Sequence, residues 1–175
     1  MEVRFLPRAS ERNAKFSYYC SLLIVSCSLI MTPGVDYTGI SVSFFCHDGA
    51  GNFVLTKRSE QCRDEHHTWE VGGGRLEFGE DPREAVLREV LEEYGVRGVI
   101  EKELPPVSLI REHQGTKTHW INMPFIIRVP REGVIRGDPV AMAEIAWFRM
   151  NALPTPLHSG MQVILDRHGE LITSV

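Results

Sequence analysis

The sequence predicts an α/β protein in which a mixed sheet is packed by a few helices. Three segments carry this prediction. Residues Thr38–His47 alternate between apolar and polar side chains, which is typical of a half-buried strand. Residues Pro82–Tyr94 have helix signals at both ends, and Leu157–Arg167 has the apolar spacing of a second helix. Strands and helices that follow one another along a chain favour a sheet covered by helices.

Further strands are predicted on both sides of the first helix. The turn cluster Asp48–Asn52 predicts that Phe53–Arg58 returns beside the first strand as a hairpin. Pro124 lies within a later apolar run and predicts an edge strand or a bulge, because proline cannot donate a ladder hydrogen bond. The remaining predicted strands are Val96–Ile100, Val107–Arg111, His119–Val129 and Ile145–Arg149.

Length and composition suit one soluble globular domain. The chain has 175 residues, of which 43% are hydrophobic and 24% charged, with a net charge of −4. An acidic chain argues against binding to duplex nucleic acid, which usually requires a basic surface. The four cysteines form no C-x-x-C pair. We therefore expect reduced thiols in a cytoplasmic protein.

Residues 1–30 differ from the rest of the chain. A polar, basic stretch is followed by the apolar run Tyr18–Met31, which resembles a signal peptide and is short for a membrane helix. Three interpretations stay open: upstream sequence ahead of a true start at Met31, an export or tethering segment, or an additional structural element. We expect the folded domain to span 31–175 without membrane contact.

The first helix concentrates negative charge. Asp81 is a suitable N-cap, Pro82 suits the first helical position, and Gly95 is a typical stop. On a helical wheel an apolar face lies opposite three neighbouring carboxylates; the apolar residues are Val86, Leu87, Val90, Leu91 and Tyr94, and the carboxylates are Glu89, Glu92 and Glu93. Such a cluster alone is typical of a solvated surface, but it also suits Mg²⁺, which prefers carboxylate oxygens.

The sequence around this helix is more specific than the charge cluster. Residues 74–96 read GRLEFGEDPREAVLREVLEEYGV, which fits the pattern G-x5-E-x7-R-E-U-x-E-E-x-G-U, where U is a bulky aliphatic residue. Every fixed position matches, at Gly74, Glu80, Arg88, Glu89, Val90, Glu92, Glu93, Gly95 and Val96. A chance match in a chain of this length is on the order of one in ten million from average residue frequencies.

This segment resembles the Nudix box, and the chain is thereby similar to the Nudix hydrolase family. The resemblance implies an α/β/α sandwich with a catalytic loop–helix–loop, and hydrolysis of a pyrophosphate bond with Mg²⁺, for which Mn²⁺ can substitute. It implies that Glu92 and Glu93 are metal ligands and that Glu89 is either a ligand or the base that activates water. The carbonyl of Gly73 or Gly74 is expected to complete the metal shell. Glu80 and Arg88 are expected to form a buried supporting pair.

The sequence departs from the family at one place and offers weaker candidates elsewhere. Many members have a proline where this chain has Gly72, so the loop is expected to hold its metal-binding carbonyl less firmly. Glu144 is the first candidate for an acidic ligand outside the box, ahead of Glu132 and Asp138. The candidates for contact with substrate are Arg58, Arg111 and His119. Trp120 is expected to belong to the core.

The expected substrate is a small nucleotide or nucleotide derivative. The resemblance suggests a nucleoside triphosphate or another nucleoside diphosphate derivative, since the residues after the box lack the marks of ADP-ribose or diadenosine polyphosphate hydrolases. An alternative is a Nudix-fold module that senses a nucleotide without cutting it, although no carboxylate of the box is lost. A homodimer is compatible with the sequence, which does not determine the oligomeric state.

Overall fold

An eight-stranded mixed sheet with two helices forms from residues 31–174, the part of the chain that the computed structural model describes. The strands are β1 (Gly39–His47), β2 (Asn52–Arg58), β3 (Trp69–Glu70), β4 (Gly72–Arg75), β5 (Val99–Glu103), β6 (Val107–His113), β7 (Thr116–Arg128) and β8 (Met142–Arg149). The helices are α1 (Pro82–Tyr94) and α2 (Ser159–Ile172), and a short 3-10 turn covers Met150–Ala152. The predictions for residues 1–30 lie outside the described residues.

Strands β1 and β2 begin as a hairpin and then separate. Within the described chain their pairing is recorded at His47 and Phe53, next to the turn. Beyond that point β4 takes the place of β2 as the antiparallel partner of β1, and β3 takes the place of β1 beside β2. The other edges of the two strands pair along their length with β7 and β8. The short segment Trp69–Arg75 therefore crosses from the edge of β2 to the edge of β1. The two strands therefore diverge and leave a gap, and this segment runs along the gap.

The two faces of the sheet are covered by different helices, which confirms the predicted α/β/α sandwich. Successive side chains of a strand point to opposite faces. On β1, Phe44 packs in a core that includes the α1 residues Val86 and Val90. The next residue, Phe45, packs in a second core with Met161 and Ile164 of α2. Each helix thus buries its apolar face against one side of β1.

The ends of α1 are where the sequence predicts them. The carboxylate of Asp81 accepts a hydrogen bond from the Arg83 N–H at 2.8 Å, and Pro82 follows the cap. At the other end Gly95 has a φ of 70°, a left-handed conformation that glycine adopts without steric cost. Its N–H donates to the carbonyl oxygen of Leu91 at 3.0 Å. Local sequence therefore determined both ends of this helix.

The predicted apolar face of α1 was too wide. Val86, Val90 and Tyr94 are fully buried, but Leu87 and Leu91 are exposed, Leu91 to 46%. One sheet face can cover only part of the circumference of a helix, and Ala85 takes the remaining buried position. The wheel correctly placed the centre of the face, while packing decided its edges.

Of the two alternatives predicted for Pro124, an edge strand or a bulge, the edge strand was wrong, because β7 lies inside the sheet. One side of β7 pairs with β1 along nine residues. Its other side pairs with β6 up to Asn122 and with β5 from Phe125 onwards. Pro124 lies between these two partners, and its carbonyl accepts from the Leu104 N–H at 2.9 Å. The missing proline N–H therefore falls where one partner strand is replaced by the other.

Several boundaries moved by a few residues. Strand β8 begins at Met142 rather than Ile145, and β5 begins at Val99 rather than Val96. Helix α2 starts after His158 and continues to Ile172, five residues beyond the predicted Arg167. Neither helix within residues 31–174 has the length and apolar character that crossing a lipid bilayer requires.

A pair of alanine substitutions tests the corrected helix face. Val90→Ala removes two buried methyl groups and should lower the free energy of unfolding by about 1–3 kcal/mol. Leu91→Ala, one residue further on, should change it by less than about 0.5 kcal/mol because that side chain is largely exposed. Urea denaturation of both variants measures the difference, and equal losses would contradict the orientation of α1.

Candidate active site

The carboxylate of Glu93 lies against the glycine-rich strand β4. It projects from the last turn of α1, is half-buried, and accepts a hydrogen bond from the backbone N–H of Gly73. The same carboxylate lines a cavity together with Gly72, Gly73 and Gly74. Helix α1 and strand β4 thus bring an acidic side chain next to peptide groups, as the sequence predicts for these residues.

Glu89 and Glu92 are held by Arg88. The Nη1 atom of Arg88 donates hydrogen bonds to Glu89 at 2.9 Å and to Glu92 at 3.3 Å. Glu89 is largely covered, whereas the side chain of Glu92 is 58% exposed. The guanidinium also forms a two-pronged ion pair with Glu80, at 2.8 and 3.1 Å. The predicted Glu80–Arg88 pair is therefore present, but it is partly exposed rather than fully buried.

Close approach between α1 and β4 depends on the lack of side chains on two glycines. A Cβ on Gly74 would overlap the carboxylate of Glu89. A Cβ on Gly72 would overlap the ring of Phe44 and the carboxylate of Glu93. The glycines are therefore required by space rather than by unusual backbone angles.

Gly72, where many family members have proline, is anchored by a bond that proline cannot make. Its N–H donates to the hydroxyl of Tyr94 at 3.1 Å in a fully buried environment. The Tyr94 ring in turn packs edge-on against Phe44, with 5.3 Å between ring centroids. The looser loop that the sequence suggested is thus compensated by a hydrogen bond from the end of α1.

Burial raises the pKa of the acidic groups at this end of the cavity. The pKa of Glu93 is well above its usual value, first because of burial and then because of the negative charge of Glu89. Burial likewise raises the pKa of Glu89 and Glu70, against opposing ion pairs with Arg88 and Arg58. The fixed positions of the box bring together four carboxylates, Glu80, Glu89, Glu92 and Glu93, and the one arginine Arg88, so they contain more negative charge than this arginine neutralises.

The cavity has a volume of about 500 Å³ and is lined by residues of the diverging strands β1 and β2, of the segment between them, and of β6, β7 and α2. Glu93 and the glycines of β4 lie along one part of it. Two arginines, Arg58 and Arg111, line another part. Trp120 and Asn122 of β7 line it as well, and Asn122 bonds to Ser43, the strand partner of Gly73. A cavity of this size can hold a small organic ligand.

The two arginines are held by carboxylates that the sequence analysis did not single out. Asp64 pairs with Arg58 at 3.1 Å and with Arg111 at 2.9 Å, and Glu70 pairs with Arg58 at 2.8 Å. Burial alone would raise the pKa of Asp64, but bonds from Arg63 and the charge of Arg111 lower it to about 2. The position of Glu70 just before the glycines was a usable signal, whereas Asp64 lies in a polar loop with none.

Comparison with known proteins identifies the family. A model described as the NUDIX domain matches residues 38–168. This chain belongs to the Nudix hydrolase family. The fold agrees: the MutT NUDIX hydrolase from Burkholderia pseudomallei has a TM-score of 0.63 at 24% identity, covering 74% of this chain and 96% of that chain. A UDP-X diphosphatase has a TM-score of 0.58 at 19% identity, covering 89% of this chain and 68% of that chain.

The relatives found by sequence are named for different enzyme activities. The 8-oxo-dGDP phosphatase NUDT18 from Homo sapiens is 32% identical over 109 residues, 61% of this chain and 30% of that protein. An RNA pyrophosphohydrolase from Acidiphilium cryptum is 26% identical over 120 residues, 60% of this chain and 71% of that protein. The match thus spans about a third of the length of NUDT18.

The other predicted site residues fall at different distances from the Nudix helix. Asp138 lines the cavity, and its charge contributes to the raised pKa of Glu93. Glu144 lies on β8, is largely exposed, faces Lys57 at 3.9 Å and does not line the cavity. His119 bonds to Thr38 and Ser108, each at 3.0 Å, on the face of β7 opposite Trp120 and Asn122. Of the three acidic candidates outside the box, the structure therefore brings Asp138 to the cavity, whereas Glu144 and Glu132 do not line it.

The acidic end of the Nudix cavity has the chemistry of a hard divalent cation site. Among residues 31–174, no three acidic, cysteine or histidine side chains stand in a ready-made metal-binding arrangement. Three of the box carboxylates, Glu80, Glu89 and Glu92, instead face Arg88, and Glu92 is exposed enough to rotate away from it. Carboxylate and carbonyl oxygens beside an excess of negative charge suit Mg²⁺, which retains several waters when bound. The residues present therefore fit the cation that the family implies.

His158 is a buried cavity residue that the sequence analysis missed. It caps α2 by accepting the Gly160 N–H on Nδ1 at 3.1 Å, so the neutral ring carries its proton on Nε2. That Nε2 has no hydrogen-bond partner, and the nearest carboxylate oxygen of Glu65 is 3.7 Å away. Burial and then the charge of Arg111 lower the pKa of His158 to about 4.

Gly74→Ala tests the steric requirement at the Nudix loop. The added methyl group must displace Glu89, and turnover should fall by roughly 100-fold, since a shift of about 1 Å in an active site has that effect. The matched control is Gly169→Ala in α2, where the new methyl group meets open space. That control should keep full turnover and gain roughly 0.5–1 kcal/mol of stability. Full turnover in Gly74→Ala would contradict the close approach of α1 to β4.

His158→Asn tests the buried histidine, because asparagine can keep the helix cap without titrating. Unfolded histidine gains its proton near pH 6.5, whereas folded His158 gains it near 4, so the unfolded state binds more protons between these values. The free energy of unfolding of the wild type should therefore fall as pH drops through this window, by on the order of 1–3 kcal/mol. Denaturation at pH 7 and 4.5 should show a smaller fall in the variant. If the free energy of unfolding falls equally in the variant and the wild type, His158 does not cause this pH dependence.

Proposed function

We propose that this protein is a Mg²⁺-dependent hydrolase that cleaves the pyrophosphate bond of a nucleoside diphosphate linked to another group. The observation that supports this most is the position of Glu93. It lies at one part of a 500 Å³ cavity, against the peptide groups of Gly72–Gly74, with arginines at another part. A diphosphate needs both positive charge along its oxygens and an activated water, and these two parts of the cavity supply them.

The acidic residues have separable roles in this proposal. Glu92, Glu93 and the carbonyl of Gly73 or Gly74 would hold the cation, which when bound neutralises phosphate charge and acidifies a water. Glu89 is suited to accept the proton of the attacking water, because burial raises its pKa and makes it a better base. Arg88, by its bond to Glu89 at 2.9 Å, orients that carboxylate and is itself held by Glu80.

The arginines are suited to the phosphate groups. Arg58 and Arg111 are already ordered by ion pairs with Asp64, so little conformational freedom is lost when a ligand arrives. The Nε of Arg111 is buried without a hydrogen-bond partner. A phosphate or ribose oxygen in the cavity would satisfy it. His119, which lies on the opposite face of β7, has no part in this proposal.

The substrate class follows from the family and the cavity together. The relatives are named as an 8-oxo-dGDP phosphatase, an RNA pyrophosphohydrolase and a UDP-X diphosphatase, and these names share a nucleotide and a phosphate or pyrophosphate cleavage. We take the same class for this chain, acting in the cytoplasm, and a homodimer is compatible with this function. The alternative is a nucleotide sensor that binds without cutting. The complete set of box carboxylates favours hydrolysis.

A substrate screen tests the reaction. The full chain is assayed for phosphate release and product identity with Mg²⁺, with Mn²⁺ and with chelator. The panel contains nucleoside di- and triphosphates, ADP-ribose, NADH, diadenosine polyphosphates, nucleotide sugars and 5′-triphosphorylated RNA. Metal-dependent cleavage between phosphates is the expected result. Binding of a nucleotide by calorimetry without any cleavage would support the sensor instead.

Glu92→Gln and Glu93→Gln test the metal assignment. Each should lower turnover by roughly 100-fold or more at saturating substrate, because a neutral amide cannot replace a carboxylate in holding the cation. Glu170→Gln, an equivalent change at an exposed position of α2, is the control and should keep full turnover. Thermal melting confirms that all three variants fold. Near-normal turnover in both box variants would overturn the assignment.

A further inference from the structure

A row of polar side chains crosses the floor of the cavity on the α2 side of the sheet. The hydroxyl of Ser43 donates to Oδ1 of Asn122 at 2.8 Å, and Nδ2 of Asn122 donates to the hydroxyl of Ser41 at 3.1 Å. Asn122 is only 5% exposed and Ser43 only 7%. All three residues line the cavity. A buried polar row with unused hydrogen-bonding capacity calls for a partner that satisfies it.

The row has hydrogen-bonding capacity left over. Asn122 has two N–H hydrogens and two Oδ1 lone pairs, and one of each is used by the serines. Ser41 accepts a bond, so its own hydroxyl hydrogen remains free for another acceptor. Two hydrogens and one amide lone pair are therefore unused, in addition to the remaining lone pairs of the two serine hydroxyls. If the side-chain amide of Asn122 is flipped, so that its oxygen and nitrogen exchange places, Ser41 donates and Ser43 accepts. The free hydroxyl hydrogen is then that of Ser43, and the number of unused hydrogens and amide lone pairs is the same.

An aromatic and an aliphatic side chain lie beside this row. The Trp120 indole is held against the backbones of Gly34 and Gly39, where any Cβ would overlap it. Leu109 is the direct cross-strand neighbour of Trp120 and also lines the cavity. An aromatic plane, an aliphatic side chain and a fixed amide together suit a planar heteroaromatic ring. Trp120 therefore lines the cavity, where the sequence suggested only a core residue.

We infer that this part of the cavity binds the nucleobase and selects bases with a keto edge, in which a carbonyl lies next to a ring N–H. This inference rests on the proposed function, because the base belongs to the nucleotide whose phosphates face Glu93. A keto edge offers two carbonyl lone pairs and one N–H, which complement the two free hydrogens and one free lone pair. The amino edge of adenine or cytosine offers one ring lone pair and further hydrogens, so it leaves a buried donor unpaired.

The keto edge occurs in guanine, uracil and thymine, so the test compares bases in size-matched pairs. Binding of GDP against ADP and of UDP against CDP is measured by calorimetry on the full chain, with chelator present so that no turnover occurs. GDP should bind at least about 10-fold tighter than ADP, or UDP at least about 10-fold tighter than CDP, since an unpaired buried donor costs about that much affinity. The pair with the larger ratio identifies purine or pyrimidine.

Two variants connect the preference to the row. Ser41→Ala, at a half-buried position that should not disturb folding, should weaken the keto nucleotide by roughly 3–10-fold and its amino counterpart by less than about 2-fold. Asn122→Ala should abolish the preference. Ser108→Ala removes an exposed hydroxyl from the opposite face of the sheet and should change neither. Thermal melting identifies any variant that fails to fold.

The outcomes separate this inference from the proposed function. Equal binding of both members of each pair, or a preference that survives in Ser41→Ala and folded Asn122→Ala, would overturn the inference even if the protein hydrolyses nucleotides. A keto preference lost in both variants would support it even if no hydrolysis occurs, as in a sensor. Trp120→Phe against Trp120→Ala adds a second check. The aromatic replacement should keep affinity for the keto nucleotide within about 3-fold, and the alanine should lose more than that.

Discussion

The close approach of α1 to the backbone of β4 is the constraint on which the site depends. The carboxylates of Glu89 and Glu93 occupy the space where Gly74 and Gly72 would carry side chains. The approach is fixed at the helix end by Tyr94, whose hydroxyl accepts the Gly72 N–H while its ring packs on Phe44. A helix so placed must bury carboxylates beside peptide groups, which raises their pKa and creates a need for a cation.

The diverging strands β1 and β2 give that acidic cluster a cavity. If the hairpin had continued in register beyond His47 and Phe53, its two strands would have closed the gap. Instead the segment Trp69–Arg75 passes from one strand to the other and places Glu70 and the glycines along the cavity. Arg58 and Arg111 enter the same space from β2 and β6, held by Asp64. Charges of both signs are therefore ordered before any ligand binds, which favours catalysis by preorganisation.

Sequence reasoning succeeded where short-range chemistry decides and failed where neighbours in space decide. Asp81 and Gly95 bounded α1 correctly because capping involves only residues one turn apart. Leu91 was assigned to the buried face but is exposed, because the width of that face depends on the sheet beneath it. An edge strand was one of the two alternatives predicted at Pro124, but this residue lies inside the sheet, because two different strands meet beside it.

The sequence by itself determined the family, the helix that carries the carboxylates and the alternation of the main strands. These follow from spacing along the chain, since a helix or strand sets which residues share a face. Only the tertiary structure decided which distant groups share the cavity. Asp64, His158 and Asn122 come from a loop, a helix cap and a strand far apart in sequence, and nothing local distinguishes them. It likewise separated Asp138 from Glu144 and removed His119 from the cavity, because the course of the chain between elements sets which side chains meet.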